Sequence, residues 1–274
     1  MIIHYRLEWG IDDIFATEKE QPLNTASQTA AANEPNQRYV LEASSVVAGY
    51  GDKTILQALD LHIRPGEIYA LLGANGAGKT TTLSLFLGFL APRSGKVAVD
   101  GLDPVLDPDG ARRRLAYIPE NVALYEHLSA VENIAYLLAL ADQHDDGAAI
   151  GAALSAAGLD AAAHDRRVAG FSKGMRQKVA IALATMRKVP ALLLDEPTSG
   201  LDPQATVEFN RLLTQLRAGG TGILMVTHDL LSAADVADRI GFLDGGVLRE
   251  EVAASGADRF DVRALHRSYG GQAA

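Results

Sequence analysis

The segment YALLGANGAGKTTTLSLFL, residues 69–87, constrains this chain more than any other. An apolar run that reads as a strand leads into a glycine-rich turn, and a helical pattern follows at once. Within the turn, Gly73, Gly78, Lys79 and Thr80 fit the spacing G-x-x-x-x-G-K-[ST]. Glycines let the backbone fold with its N–H groups pointing inward, and a helix start adds positive potential, so the product is an anion cradle. Lys79 is placed to reach the β- and γ-phosphates of a nucleotide, and the Thr80 hydroxyl to bind Mg²⁺. Gly73, Asn75, Gly76, Ala77, Gly78, Lys79, Thr80 and Thr81 are the expected phosphate-binding set.

A second half of the same chemistry stands in ALLLDEPTSGLD, residues 191–202. Leu192, Leu193 and Leu194 form a buried strand candidate that ends in Asp195 and Glu196. Ligands of open α/β sheets bind at the carboxyl ends of strands, where these acids fall. Asp195 suits Mg²⁺, and the adjacent Glu196 suits a base that orients or deprotonates attacking water. His228 ends another apolar strand candidate, GILMVTHD, and is expected to contact the γ-phosphate. His4, His62, His127, His144, His164 and His266 show no ligand spacing, so no metal site built from side chains alone is expected.

These motifs sit in an alternating pattern. YVLEASSVVAGY, LDLHIRPGEIYALLG, GKVAVDG, RLAYIP, ALLLDEP, GILMVTH and IGFLDGGVLREE read as strands. Helical patterns cover 80–90, 128–142 and 147–157, and another begins at Ser172; Ser129 and Glu132 have capping-box spacing. Strands alternating with helices predict an α/β fold with a mainly parallel sheet, to which the early strand cluster adds an antiparallel β-subdomain. Residues 121–170 hold helices alone and read as an inserted helical subdomain. Residues 1–37, polar and without apolar period after the first fifteen, read as a flexible extension. The main domain is placed at 38–250, with a tail at 251–274.

The net charge of −9 and the lack of a long Lys/Arg run argue against nucleic acid as a partner. With no cysteine, disulfides and thiolate metal sites are excluded. No apolar run reaches bilayer-spanning length, and the N-terminus lacks the layout of a secretion signal.

One stretch resists a purely local reading. FSKGM, residues 171–175, opens a helix at Ser172, and a capped amphipathic helix would account for the serine. The elements in their order, however, resemble the ATP-binding subunit of an ABC transporter over about residues 39–246. The core is thus expected to be a P-loop NTPase fold. Tyr50 in VAGYGDKTIL matches the aromatic residue that stacks on adenine; FSKGM matches the signature sequence, SGLD at 199–202 the D-loop, and His228 the switch histidine.

The resemblance implies ATP and Mg²⁺ as cofactors and a head-to-tail dimer with a second ATPase subunit, either another copy or a paralogue. Each ATP would lie on one subunit's phosphate loop and beneath the other's signature, so that Ser172, Gly174, Met175 and Asp202 join the nucleotide site. Two positions depart from the family pattern. Lys173 and Met175 replace the usual Gly and Gln of the signature, and Glu120 in YIPEN replaces the Q-loop glutamine that approaches Mg²⁺ and senses the permease. The resemblance points to ATP hydrolysis that powers transport, on the exporter side, through a separate multi-span permease at the cytoplasmic face of the inner membrane. A soluble ATPase switch of the same superfamily is the alternative, but translation-type members carry two ATPase units per chain and repair-type members insert a coiled coil absent here.

Overall fold

The structure is a computed structural model and describes residues 38–256 and 259–265; the expectation for residues 1–37 lies outside them. In chain order the elements are β1 (Leu41–Tyr50), β2 (Lys53–Ile63), β3 (Ile68–Leu72), α1 (Lys79–Phe86), β4 (Ser94–Val99), α2 (Pro108–Arg113), β5 (Leu115–Ile118), α3 (Ala130–Ala139), α4 (Gly147–Ala156), α5 (Lys173–Arg187), β6 (Ala191–Asp195), α6 (Pro203–Ala218), β7 (Gly222–Thr227), α7 (Leu230–Val236), β8 (Arg239–Asp244) and β9 (Val247–Ala253).

Two sheets form. One is antiparallel with strand order β2-β1-β4; the other has six strands in the order β5-β6-β7-β3-β8-β9. In the second sheet β5, β6, β7, β3 and β8 run parallel, and β9 returns antiparallel to β8. Every residue of β3 and of β7 is buried, as expected of parallel strands covered on both faces. The turn between β2 and β3 passes through Gly66 at φ +68, where a side chain would be strained.

Register decides what this sheet can do. Ile118 pairs with Leu194, Asp195 with Val226, and Leu72 with Thr227. The carboxyl ends of four neighbouring strands are therefore level. The phosphate loop, the paired acids, His228 and Glu120 all leave the sheet at one edge.

Residues 121–170 contain α3, α4 and two short 3-10 turns at Ala161–Ala163 and Val168–Gly170. Among the described residues no strand interrupts them, as the sequence suggests. Ser129 caps α3 through the Glu132 N–H while the Glu132 carboxylate accepts from the Ser129 N–H, a complete capping box. Ile134, Leu138, Ile150 and Leu154 join Val179 and Ala182 of α5 in the main apolar core. The insert is thereby tied to the helix that begins at Ser172.

Two boundaries differ from the sequence reading. α1 stops at Phe86 rather than continuing to residue 90, because Gly88 turns left-handed at φ +71 and Phe89 and Leu90 donate back to the Ser84 carbonyl. At the other end, β9 continues to Ala253, past the domain limit placed at 250. Phe260 and Leu265 are buried in the same core, so apolar packing extends into the segment assigned to the tail.

Candidate active site

The glycines of the phosphate loop are dictated by close approach. A Cβ on Gly73 would meet the Leu243 carbonyl at 2.5 Å, and one on Gly78 would meet Leu56 at 2.7 Å with φ already at +116. A Cβ on Gly76, by contrast, would point into open space. Each of α2 to α7 begins with a side-chain cap, from Asp107, Ser129, Asp146, Ser172, Asp202 and Asp229. The N-cap of α1, Gly78, makes no side-chain cap bond. An α-helix leaves its first N–H groups without intrahelical partners, and here a phosphate oxygen is the group that would satisfy them. These features fit a nucleotide phosphate chain.

Lys79 is the first residue of α1, and its side chain is 8% exposed. Its ammonium donates to the Gly73 carbonyl at 2.6 Å and stands 3.7 Å from Glu196 Oε1. Thr80 is exposed at the loop rim, while Thr81 and Thr82 are buried; the Thr82 hydroxyl donates to the Gly78 carbonyl at 3.0 Å and braces the turn.

The acids are held separately. Glu196 adopts φ +44, a left-handed conformation unusual for a residue with a side chain and costing about 1–2 kcal/mol. Its N–H donates to the Val226 carbonyl at 2.9 Å. Glu196 Oε2 accepts from the Thr227 hydroxyl at 3.0 Å and from the His228 N–H at 3.2 Å, with His228 Nδ1 at 2.9 Å. One carboxylate oxygen is thus anchored on the end of β7, and the other faces Lys79.

Asp195 lies deeper. Tyr117 on β5 donates its phenol proton to Asp195 Oδ2 at 3.4 Å. Burial pushes the Asp195 carboxyl up, with the negative charges of Glu196 and Glu120 adding to it, against the Tyr117 hydrogen bond and the Lys79 charge. The Tyr117 phenol is raised as well, by burial first and then by Asp195. Hydroxyl and carboxylate oxygens, as at Thr80 and Asp195, are the donors Mg²⁺ takes, and a dication would relieve the crowding of negative charge. The donor set fits the metal.

Glu120 follows β5. Ser199 Oγ donates to Glu120 Oε1 at 3.1 Å, and Lys173 Nζ stands 3.6 Å from the same oxygen. Ser172 is the exposed N-cap of α5, and its Oγ accepts from the Met175 N–H at 3.3 Å, leaving the hydroxyl proton free to donate outward. Tyr50, 52% exposed, closes β1 with its ring in solvent. Asp202 caps α6 by accepting from the Ala205 N–H at 2.9 Å. A Cβ on Gly174 would make only ordinary contacts with Leu201 and Ala205, so among the described residues nothing requires glycine there.

A family model described as ABC transporter matches residues 56–199, from β2 to the turn after β6. This chain belongs to the ABC transporter family. Among its relatives, the linearmycin resistance ATP-binding protein of Bacillus subtilis (strain 168) is 33% identical over 212 residues, 76% of this chain and 67% of that protein. The spermidine/putrescine import ATP-binding protein of Mesoplasma florum is 35% identical over 214 residues, 77% of this chain and 61% of that protein. The dimeric structure of a bacterial ABC transporter cassette superposes with a TM-score of 0.69 at 26% identity, covering 79% of this chain and 99% of that one. The chain is accordingly an ATP-binding subunit of the ABC transporter type, with the fold and the ATP-hydrolysing character of that family.

Within this ABC ATPase, the strand register brings Lys79, Asp195, Glu196, Glu120 and His228 to one edge. Tyr117, Thr227 and Gln177 escape notice in the sequence, since no motif marks them. Tyr117 holds Asp195 and Thr227 holds Glu196, while buried Gln177 donates its amide to the Pro197 carbonyl and ties α5 to the turn after the acids. A cavity of about 560 Å³ opens at the opposite ends of the strands, beside Pro190 and Thr221, and shares none of these residues.

Proposed function

We propose that this subunit binds ATP with Mg²⁺ on residues 73–81, with Tyr50 against the adenine, and hydrolyses it in a head-to-tail dimer that drives a separate membrane permease. The observation that carries the reading is the meeting of Lys79, Glu196 and His228 above the uncapped start of α1. Mg²⁺, held by Thr80 and Asp195 with Glu120 nearby, would neutralise charge on the phosphates as the terminal bond breaks. Glu196 is the base: Thr227 and the His228 N–H fix one of its oxygens and leave the other to take a proton from water. His228, with 61% of its side chain exposed, is free to turn toward the γ-phosphate. Lys79 binds the β- and γ-phosphates by exchanging the Gly73 carbonyl for them.

The second copy is called for by α5. Ser172 presents a free hydroxyl proton, Gly174 a bare backbone and Met175 the same turn at an exposed helix start, a combination suited to a partner's γ-phosphate. Asp202, at the start of α6, belongs to the same surface. A similar cassette has been described as a dimer. Among the described residues no helix is long and apolar enough to cross a membrane, so transport needs a permease, which would hold this subunit at the cytoplasmic face of the inner membrane. Export is the direction we favour, from the exporter-side resemblance of the sequence and from a relative named for resistance. The test is size-exclusion chromatography of the Glu196→Gln protein with Mg-ATP: a dimer that forms with ATP and not with ADP supports the reading, and a monomer in both sinks it.

A further inference from the structure

Lys173 and Glu120 come from distant parts of the chain, and each carries the wrong charge for its own surroundings. Lys173 is the first residue of α5, where the helix already presents its positive end and a cation is unfavourable. Glu120 stands near enough to Asp195 for its charge to be among those that burden that carboxyl. Either residue alone would be locally unfavourable. Together they neutralise each other: Lys173 Nζ lies 3.6 Å from Glu120 Oε1, and Ser199 Oγ donates to the same oxygen at 3.1 Å.

The stem of Lys173 reaches across the turn that follows the paired acids. A Cβ built on Gly200, where φ is +70, would lie 4.0 Å from Lys173 Cδ and Nζ, so the chain of the lysine runs alongside a backbone kept bare. Three segments therefore converge on one carboxylate oxygen: the end of β5, the turn after β6 and the head of α5. The pair is partly open to solvent, with Lys173 26% and Glu120 45% exposed. Open pairs of this kind add little stability. Its location beside the phosphate site is what distinguishes it.

We propose that Lys173 is a positioning residue for Glu120, cancelling its charge and drawing it toward Ser199 so that the acid edge accepts the polyanionic nucleotide. The inference rests on the ATP-site reading above. It extends that reading to regulation: Glu120 serves its own subunit's nucleotide, whereas the head of α5 faces the partner's. A γ-phosphate that attracts Lys173 in one composite site therefore releases Glu120 in the other.

The experiment is a double-mutant cycle on Mg-ATP affinity, measured with a fluorescent ATP analogue on dilute single subunits, so that the readout needs neither turnover nor a partner. Lys173→Ala should weaken affinity about fivefold, the scale of one unscreened charge at a few ångströms in water, and the loss should shrink in high salt. In the Glu120→Gln background the same substitution should have little effect, and Lys173→Arg should retain the parental affinity. An equal loss with and without the Glu120 carboxylate, or no loss at all, would overturn the assignment. Failure of the ATP-site reading itself looks different: the parent protein would then fail to bind Mg-ATP, and Lys79→Ala would change nothing.

Discussion

Lys79 Nζ and Glu196 Oε1 face each other across 3.7 Å, although one heads α1 and the other follows β6. The second oxygen of Glu196 is meanwhile fastened to Thr227 and the His228 N–H. A single carboxylate thus spans from the phosphate loop to the end of β7, with one oxygen fixed and one available. Replacing it by the amide keeps shape and reach but removes the proton acceptor. Glu196→Gln should lower phosphate release by about 10²–10⁴-fold while ATP binding stays within a few-fold of parental. If phosphate release persists at half the parental rate, Glu196 is not the base.

Lys79→Ala should fail at an earlier step. The ammonium is buried at the loop and contacts the Gly73 carbonyl, so its removal takes away a phosphate-facing cation and leaves that carbonyl without its donor. Mg-ATP affinity itself should fall by about tenfold or more, the loss expected of a charged hydrogen bond. Calorimetric titration of the folded variant measures it, and unchanged affinity would rule out the loop assignment.

Ser172→Arg tests the partner-facing role of α5. The substitution places a bulky group at an exposed cap and leaves the phosphate loop of the same chain untouched. Single subunits should bind ATP normally, whereas ATP-dependent dimerisation and hydrolysis should be lost. Mixing Ser172→Arg with Lys79→Ala subunits creates one composite site with both lesions and one with neither. Association should then return, with activity as well if one intact site can fire alone. Folded mutants that recover neither would show that α5 does not act on a partner's nucleotide.

Asp195 predicts a pH signature. Its carboxyl is raised by burial and by neighbouring carboxylates, so the folded state holds that proton more tightly than the unfolded chain does. The associated stability is present at low pH and is lost as pH rises through the folded-state value. At neutral pH the charged Asp195 therefore strains the nucleotide-free fold. Asp195→Asn should raise the melting temperature near pH 7, by about 2–4 °C for each kcal/mol relieved in a domain of this size, and the gain should fade as pH is lowered. Differential scanning calorimetry in the absence of Mg²⁺ decides; a variant that melts lower at neutral pH would contradict the electrostatic account.

The sequence alone determined the chemistry that depends on short spacing. Gly73, Gly78, Lys79 and Thr80 lie within one turn, and Asp195 and Glu196 are adjacent, so their place at the end of a strand or the start of a helix follows from local geometry. The α/β alternation, the helical insert and the Ser129 and Glu132 cap were legible for the same reason, because periodicity and capping are properties of neighbouring residues. What tertiary structure decided is which distant residues share an edge. The strand order β5-β6-β7-β3 brings Tyr117 to Asp195 and Thr227 to Glu196, contacts that no spacing announces. The packing of α5 against β5 likewise brings together Glu120 and Lys173, which read in sequence as two separate departures from a pattern. Charge compensation acts through space rather than along the chain, and only the packing of helix against sheet sets the 3.6 Å between them.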